Sequence, residues 1–263
     1  MSEPLRSLEP PPLRRPPGAA VRVPKASEII ARLMRRDFVR QKLQPGGALP
    51  PEHQLQARFE VSRPTLREAL RILEAQQLVR IVRGAAGGAR YRLPDIDMVA
   101  EHTGIFLETR GATQADLTEA RLQLEPAIVA FIARDGAAEA IDALAQSVAR
   151  HRDVADDMAA FNAENQRFYD LLAAASPNQT LALFLLIFRD LIAWQSAALG
   201  GEPPFGAKPS KKAVEAHIAA KDELIGHLRA HRAEAAAQLW TRHLAAQLKH
   251  LAKSGHGHRP ITT

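Results

Sequence analysis

The sequence predicts a mainly α-helical protein in two parts: three short helices with a β-hairpin, then a bundle of six to seven long helices. Two observations predict this. Apolar residues recur at spacings of three and four over most of the chain, and apolar segments of strand length flank a single glycine-rich turn. The 263 residues, 46% of them hydrophobic, are enough to form two domains with their own cores.

Residues 1–24 contain seven prolines among scattered arginines and few apolar side chains, so we expect a disordered, proline-rich tail. The following segment, residues 26–41, has helical spacing of its apolar residues and ends before the turn at Pro45-Gly46-Gly47. A second, short helix is predicted over residues 52–60.

A third helix is predicted to begin after Ser62, which is a good N-cap, and to end near Gln77. Its buried stripe consists of Leu66, Leu70 and Leu73. Arg63 and Arg67 are four residues apart and therefore share another face of this helix. Two guanidinium groups in the first two turns of a helix are typical of an element that reads the major groove of DNA.

Two apolar segments, residues 78–83 and 89–93, flank the glycine-rich stretch Gly84–Gly88 and predict a hairpin. Three helices followed by a hairpin form a winged helix-turn-helix, here over residues 25–93. In this arrangement the third helix enters the major groove and the wing contacts phosphates or the minor groove.

The charge distribution supports the same prediction. Residues 25–93 contain fourteen Lys and Arg against six Asp and Glu, a net charge of +8, whereas residues 94–263 contain seventeen against twenty-one, a net charge of −4. A polyanion would therefore be attracted to the first part. The chain has no cysteine and no apolar run long enough for a signal peptide or a membrane span, which indicates a cytoplasmic protein.

The second part, residues 95–253, is predicted to be entirely helical, and residues 254–263 are predicted to be a flexible tail. The helices are expected near residues 96–109, 114–134, 138–151, 154–175, 178–199, 210–231 and 233–253. Helices of this length can surround a central pocket.

These residues resemble the GntR transcription regulators, specifically the FadR subfamily with the helical FCD effector domain. The first part carries the resemblance in Pro45-Gly46, Leu49-Pro50, Glu52, Leu55, Val61-Ser62-Arg63 and Arg67-Glu68-Ala69-Leu70. In the second part, residues 119–126, with the sequence EARLQLEP, are similar to the opening motif of the effector domain.

The resemblance implies that Arg63 and Arg67 contact guanines and phosphates, with Ser62 and Thr65 supporting them. It implies that the wing tip is formed by Gly84 to Gly88, and we include Arg83, Gly84 and Gly87 among the DNA-binding residues. The arginine that the family has in the second helix is replaced here by His53, so one contact to DNA is expected to differ.

Many FCD regulators hold a divalent metal with an aspartate and a histidine four residues apart and two later histidines. The matching positions here are Asn165, Tyr169, Lys221 and His243. Only His243 is a conventional ligand, because a protonated lysine cannot coordinate and an amide and a neutral phenol are poor substitutes. We therefore expect no bound metal and no other cofactor.

Arg121, Asn165 and Lys221 are polar residues on stripes that are otherwise apolar, and a buried charge needs a partner. One interpretation is an internal ion pair, for example between Arg121 and Glu125. The other is a pocket in which Arg121 and Lys221 bind an anionic effector directly, with Asn165, Tyr169 and His243 completing it.

The sequence thus favours a homodimeric transcription regulator, a repressor, that binds a short palindromic operator in double-stranded DNA and responds to a small anionic metabolite. The wing and its flanks, residues 83–90, are similar to those of FadR-like regulators, which suggests a carboxylate or an acyl thioester. No catalytic constellation is recognisable, so we expect no enzyme. The alternatives are a DNA-binding head fused to an enzyme-like domain and an architectural DNA-binding protein without effector.

Overall fold

The computed structural model describes residues 24–40, 44–82, 84, 87–198 and 210–262. The predicted tail over residues 1–24 lies outside the described residues except for Pro24. The chain divides between Pro94 and Asp95 into two compact units. Within the described part of the chain, none of the helices combines the length and the apolar character that a membrane span needs.

The first unit contains three helices and one hairpin. They are α1 (Ala26–Arg40), α2 (Glu52–Phe59), α3 (Arg63–Ala75), β1 (Val79–Val82) and β2 (Gly88–Tyr91). The two strands are antiparallel, with Val79 opposite Tyr91 and Val82 opposite Gly88. Fully buried leucines of α3 pack against Met34 and Phe38 of α1, so α3 lies in the middle of this core. The predicted winged helix-turn-helix is confirmed.

The second unit contains seven helices, as predicted, among its described residues. They are α4 (Ile96–Thr109), α5 (Gln114–Asp135), α6 (Ala138–Asp153), α7 (Met158–Ala175), α8 (Gln179–Ala198), α9 (Lys211–Arg229) and α10 (Ala233–Ser254). Helices α5 and α10 pack along each other, α9 packs on both, and α6 packs on α7 and α9. Trp240, Phe168, Ile128 and Leu144 are among the fully buried side chains of this core.

Helix α7 begins at Met158 and not at residue 154, where the sequence suggested a start. Residues 154–156 form a turn, and the side chain of Asp157 accepts hydrogen bonds from the backbone N–H groups of Ala159 and Ala160. Asp157 is thus the N-cap, and its capping bonds fix the first turn of the helix. Apolar periodicity cannot detect such a boundary, because Val154 and Ala155 also pack against the core.

We predicted a flexible tail over residues 254–263, but residues 255–262 pack against the rest of the second unit. Gly255 ends α10 with φ +73°, a short 3₁₀ turn follows at His256–His258, and Ile261 is only 1% exposed. The N–H of Ile261 donates to the carbonyl of Ala112, and Gln195 donates from its side chain to the carbonyl of Thr262. We call residues 255–262 the strap. The prediction was wrong because the glycines and histidines of this segment suggested disorder, whereas the buried Ile261 anchors it.

Candidate functional site

The start of α3 is fixed by its N-cap. Ser62 has an extended backbone (φ −68°, ψ 155°), and its Oγ accepts a 3.5 Å bond from the backbone N–H of Thr65 and lies 2.9 Å from Thr65 Oγ1. Pro64 stands in the first turn, where its missing N–H leaves no helical bond unmade. Ser62 and Thr65 thus determine the direction in which the first turn of α3 projects.

The predicted arginines lie on the exposed side of α3. Leu66 and Leu73 are fully buried on the other side, so the helix is held firmly while Arg63 and Arg67 face solvent. Arg63 donates from Nε to Glu52 Oε2 of α2 over 3.2 Å, and its two terminal nitrogens have no hydrogen-bond partner among the described residues. Arg67 has no hydrogen-bond or ion-pair partner among the described residues. Both guanidinium groups are therefore available to bind phosphate or a base edge.

Two further residues of the candidate surface lie on α2, Glu52 and His53. His53 is exposed in the first turn of that helix, next in sequence to Glu52. The contact of Glu52 with Arg63 was not anticipated, although Glu52 is one of the residues that carry the family resemblance. The structure thus adds Glu52 to the candidate surface as the residue that orients Arg63.

The wing is tied to the rest of the first unit. Gly84 has φ +111°, a conformation that favours glycine, and its carbonyl accepts from the N–H of Gly87 over 2.9 Å. Arg90 of β2 donates from Nη1 to the carbonyl of Gly46 over 3.1 Å, which joins the hairpin to the loop after α1. Gly84 and Gly87 are exposed at the tip. Arg83, the third predicted wing residue, lies outside the described residues.

In the second unit, Arg121 forms the internal ion pair that was one of our two interpretations. Its Nε donates to Glu125 Oε1 over 2.6 Å, Nη2 donates to the hydroxyl of Tyr169 over 2.6 Å, and Nη1 donates to Gln247 Oε1 over 3.3 Å. The other oxygen of Glu125 accepts from Trp240 Nε1 over 2.7 Å. One fully buried carboxylate thus holds together residues of α5, α7 and α10.

These contacts and the burial determine the protonation states of Arg121 and Tyr169. Burial opposes the charged form of the Arg121 guanidinium, but Glu125 and Tyr169 more than compensate, so the pKa of Arg121 is raised. Burial raises the pKa of Tyr169, which therefore stays a neutral phenol able to donate its proton. Its hydroxyl lies 3.3 Å from Glu125 Oε2.

Lys221 of α9 is also fully buried but has a different environment. Its Nζ lies 2.7 Å from Asn165 Oδ1 and 3.1 Å from His151 Nε2, and 4.2 Å from the centre of the Phe168 ring. No carboxylate hydrogen-bonds to this amine among the described residues. Burial lowers the pKa of Lys221 well below its usual value. The side chain is thus a buried base whose cationic form lacks a counter-ion in direct contact.

Three histidines surround Lys221 and Asn165. His151 lies on α6, His217 Nε2 lies 3.2 Å from Asn165 Oδ1, an oxygen that can only accept, and the ring of His243 lies 5.1 Å from that of His217. Burial and the charge of Lys221 lower the pKa of His151 to about 4 and that of His243 to about 3, and lower the pKa of His217 well below its usual value. All three rings are therefore neutral near pH 7.

Gln247 connects the two groups, because its side chain accepts from Arg121 and also lies 2.8 Å from His243 Nε2. The five predicted residues thus belong to one polar cluster, in which Arg121, Tyr169 and Lys221 are buried and Asn165 and His243 are half-buried. Its other members, which the sequence did not reveal, are Glu125, His151, His217, Trp240 and Gln247. We call this set the core cluster. Because Arg121 is paired with Glu125 and the three histidines are neutral, Lys221 is the basic group of this cluster that contacts no carboxylate among the described residues.

The residues at the family's metal positions do not fit a divalent cation. Asn165 presents a neutral amide oxygen that is already bonded to Lys221, and the hydroxyl of Tyr169 is engaged by Arg121. The lysine amine stands where a cation would need a ligand, and its charged form would repel that cation. Among the described residues, no group of three or more His, Asp or Glu is arranged to hold a metal ion.

Comparisons with known proteins identify the family of each of the two units. Residues 26–87 match the family described as "Bacterial regulatory proteins, gntR family", and residues 116–246 match the FCD domain. The chain is 32% identical over 178 residues to the HTH-type transcriptional repressor NanR of Shigella sonnei (strain Ss046), and equally to NanR of Escherichia coli (strain K12 / DH10B). Each match covers 66% of this chain and 65% of the relative, slightly less than two thirds of its length.

A solved structure, the Streptococcus agalactiae GntR, superposes with a TM-score of 0.65 at 22% identity, covering 85% of this chain and 99% of that one. This similarity supports the fold. With the two family matches on either side of Pro94 and Asp95, where the two units divide, the chain belongs to the gntR family of bacterial regulatory proteins and carries the FCD effector domain.

Proposed function

We propose that this protein is a homodimeric transcription repressor that binds a short palindromic operator and is controlled by a small anionic metabolite. The observation that carries this proposal is the exposed pair Arg63 and Arg67 on a capped helix, within the segment that matches the gntR family. The FCD match and the naming of the NanR relatives as transcriptional repressors favour a regulator over an enzyme. Binding to chromosomal DNA would place the protein in the cytoplasm.

In this proposal α3 lies in the major groove. Arg63 and Arg67 bind guanine edges or phosphates, and a well-placed arginine on guanine contributes about 1–3 kcal/mol of discrimination. Ser62 and Thr65 support the first turn, and His53 stands beside it on α2. The wing, with Arg83, Gly84 and Gly87, contacts the adjacent backbone or minor groove.

The core cluster is the proposed effector site, with Arg121, Asn165, Tyr169, Lys221 and His243 as ligand contacts. The bound effector would be the counter-ion that the ammonium group of Lys221 lacks among the described residues. Two kinds of ligand would supply it, a carboxylate, including that of a larger acid, or an acyl thioester that carries phosphates. No metal is required in this scheme. Because Lys221 and Arg121 are buried, ligand entry has to separate some of the contacts described above, and that rearrangement provides the coupling to the DNA-binding unit.

The second unit also offers a surface for the second copy. Val99, Ile105 and Phe106 of α4 and Phe184 of α8 are large apolar side chains that are at least 39% exposed, and α4 packs directly on α8. Large exposed apolar residues on adjacent helices are typical of a protein interface. A two-fold dimer through this surface would present two α3 helices to the two halves of a palindrome.

The proposal can be tested in two steps. First, selection from a randomised DNA library should enrich a palindromic sequence for the wild type but not for Arg67→Ala. Second, carboxylates and acyl thioesters should be screened for release of that duplex and for a rise in melting temperature. Arg121→Ala and Lys221→Ala should abolish release without preventing DNA binding. Release that is unchanged in both variants would show that the core cluster is not the effector site.

A further inference from the structure

The outer face of α1 has a row of arginines that the proposed recognition surface does not use. Arg32, Arg36 and Arg40 occupy every fourth position of the helix and therefore lie along one face. We call these three residues the α1 row. At a rise of 1.5 Å per residue the row is about 12 Å long. Ile30 and Met34 lie on the opposite side of α1 and are buried.

The arginines of the α1 row form no ion pair within the described part of the chain. All three arginines are exposed, and none has a hydrogen-bond or ion-pair partner among the described residues. Of the two acidic residues of α1, Glu28 lies one turn before Arg32, and Asp37 is bound by Arg58 of α2 over 2.6 Å. Because like charges four residues apart repel each other, the row is a position where an anionic partner is favoured.

The row points away from α3. Helix α1 packs on α3 through its buried side, which includes Met34 and Phe38, and the row lies on the reverse of that side. Arg63 and Arg67 start from a different helix and project from its exposed face. A duplex seated on α3 therefore leaves the α1 row available to another partner.

The partner should be one that is recognised by charge. Ile29 and Val39 are exposed on α1, at 45% and 71%, but they are ten residues apart and form no continuous apolar face with which a helix could insert into a membrane. A DNA strand presents a phosphate about every 3.4 Å along its axis, so a row of about 12 Å can place each guanidinium near a phosphate. Arginine also binds phosphate through two parallel donors.

We propose that the α1 row is a second, sequence-independent DNA-binding surface, which takes the phosphate backbone of a DNA segment other than the one bound by α3. That α3 binds the first DNA segment rests on the proposed function. The charge and exposure of the α1 row are independent of the proposed function. A regulator with such a surface can hold its operator and a neighbouring stretch of the chromosome together.

The test uses the full chain and two duplexes. A duplex selected by the wild type from a randomised library is immobilised and saturated with protein, and a labelled duplex of scrambled sequence, about 30 base pairs long, is then added. The wild type should retain the labelled duplex, with log affinity against log salt having a slope of roughly −2.7 for three contacts. The R32Q/R36Q/R40Q variant should lose at least about tenfold in this retention and keep its affinity for the immobilised duplex within about twofold.

A matched control removes three exposed lysines from the second unit, K211Q/K212Q/K253Q, and should retain the labelled duplex. The proposal is overturned if the row variant retains it as well as the wild type, or if that variant instead loses affinity for the immobilised duplex. It is also overturned if vesicles of phosphatidylcholine and phosphatidylserine displace the scrambled duplex from the row more effectively than unlabelled DNA does. If selection enriches no sequence, the proposed function fails. The α1 row is then tested separately, by measuring whether an R63A/R67A variant binds the scrambled duplex.

Discussion

Replacing Glu125 by Gln should destabilise the effector domain strongly, because it removes the only fully buried carboxylate of the core cluster. Glu125 is 0% exposed and accepts from Arg121 and Trp240 at 2.6 and 2.7 Å, so its loss leaves a buried guanidinium without its counter-ion. Breaking a buried ion pair by removing one partner costs about 3–5 kcal/mol. For a domain of this size, that corresponds to a fall in melting temperature of about 6–20 °C.

Urea unfolding followed by circular dichroism would measure the effect, with Glu119→Gln on the exposed side of the same helix as the control. That control should change the free energy of unfolding by less than about 0.5 kcal/mol. Adding Arg121→Met to Glu125→Gln should restore part of the loss, because no unpaired charge then remains buried. If Glu125→Gln costs less than about 1 kcal/mol, or if the two substitutions are additive, the reasoning about this ion pair is wrong.

Further predictions concern pH, DNA binding and metal. The folded pKa of His151 is near 4, below its unfolded value near 6.5, so its contribution to stability is complete above pH 6.5 and is lost as the pH falls to 4. His151 alone accounts for about 3 kcal/mol of this loss. Because the pKa values of His217 and His243 are lowered too, unfolding at several pH values should show a larger total loss in the wild type than in His151→Gln. Arg67→Ala should weaken binding to a selected duplex and, if Arg67 contacts a phosphate, reduce the salt slope by about 0.9, which fluorescence anisotropy can follow. Glu52→Gln should reduce discrimination at one base and have no further effect in an Arg63→Ala background, whereas additive effects would exclude a positioning role. EDTA should leave the melting temperature within about 1 °C, and a larger fall would show that the core cluster does hold a metal.

Local signals predicted most of the fold. The leucine spacing and the cap at Ser62 located α3, although we expected it to continue to Gln77. The helix ends at Ala75 because Gln77 adopts a positive φ of 59° and the N–H of Leu78 turns back to the carbonyl of Leu73. The position of this helix end depends on the connection to β1, and helical periodicity gives no information about that connection.

The core cluster could be predicted only in part. Spacing indicated that Arg121 and Lys221 face inward, but spacing cannot show which inward residues of different helices meet. His151 and His217 each lie three residues after a buried valine of their own helix, Val148 and Val214, and that signal was present in the sequence. Gln247 also lies three residues after the buried Leu244, but spacing could not show that its side chain contacts Arg121 and His243.

The strap has a mechanical consequence for signalling within the second unit. Ile261 belongs to a small apolar cluster with Leu117 of α5 and Leu191 of α8, and Ile96, the first residue of α4, packs against the same cluster. A shift of α8 therefore moves the anchor of the strap and, with it, the beginning of the helix that directly follows the DNA-binding unit in the chain. Cutting the chain after Ser254 would uncouple these helices without touching the core cluster, so ligand binding and DNA release would become separable properties.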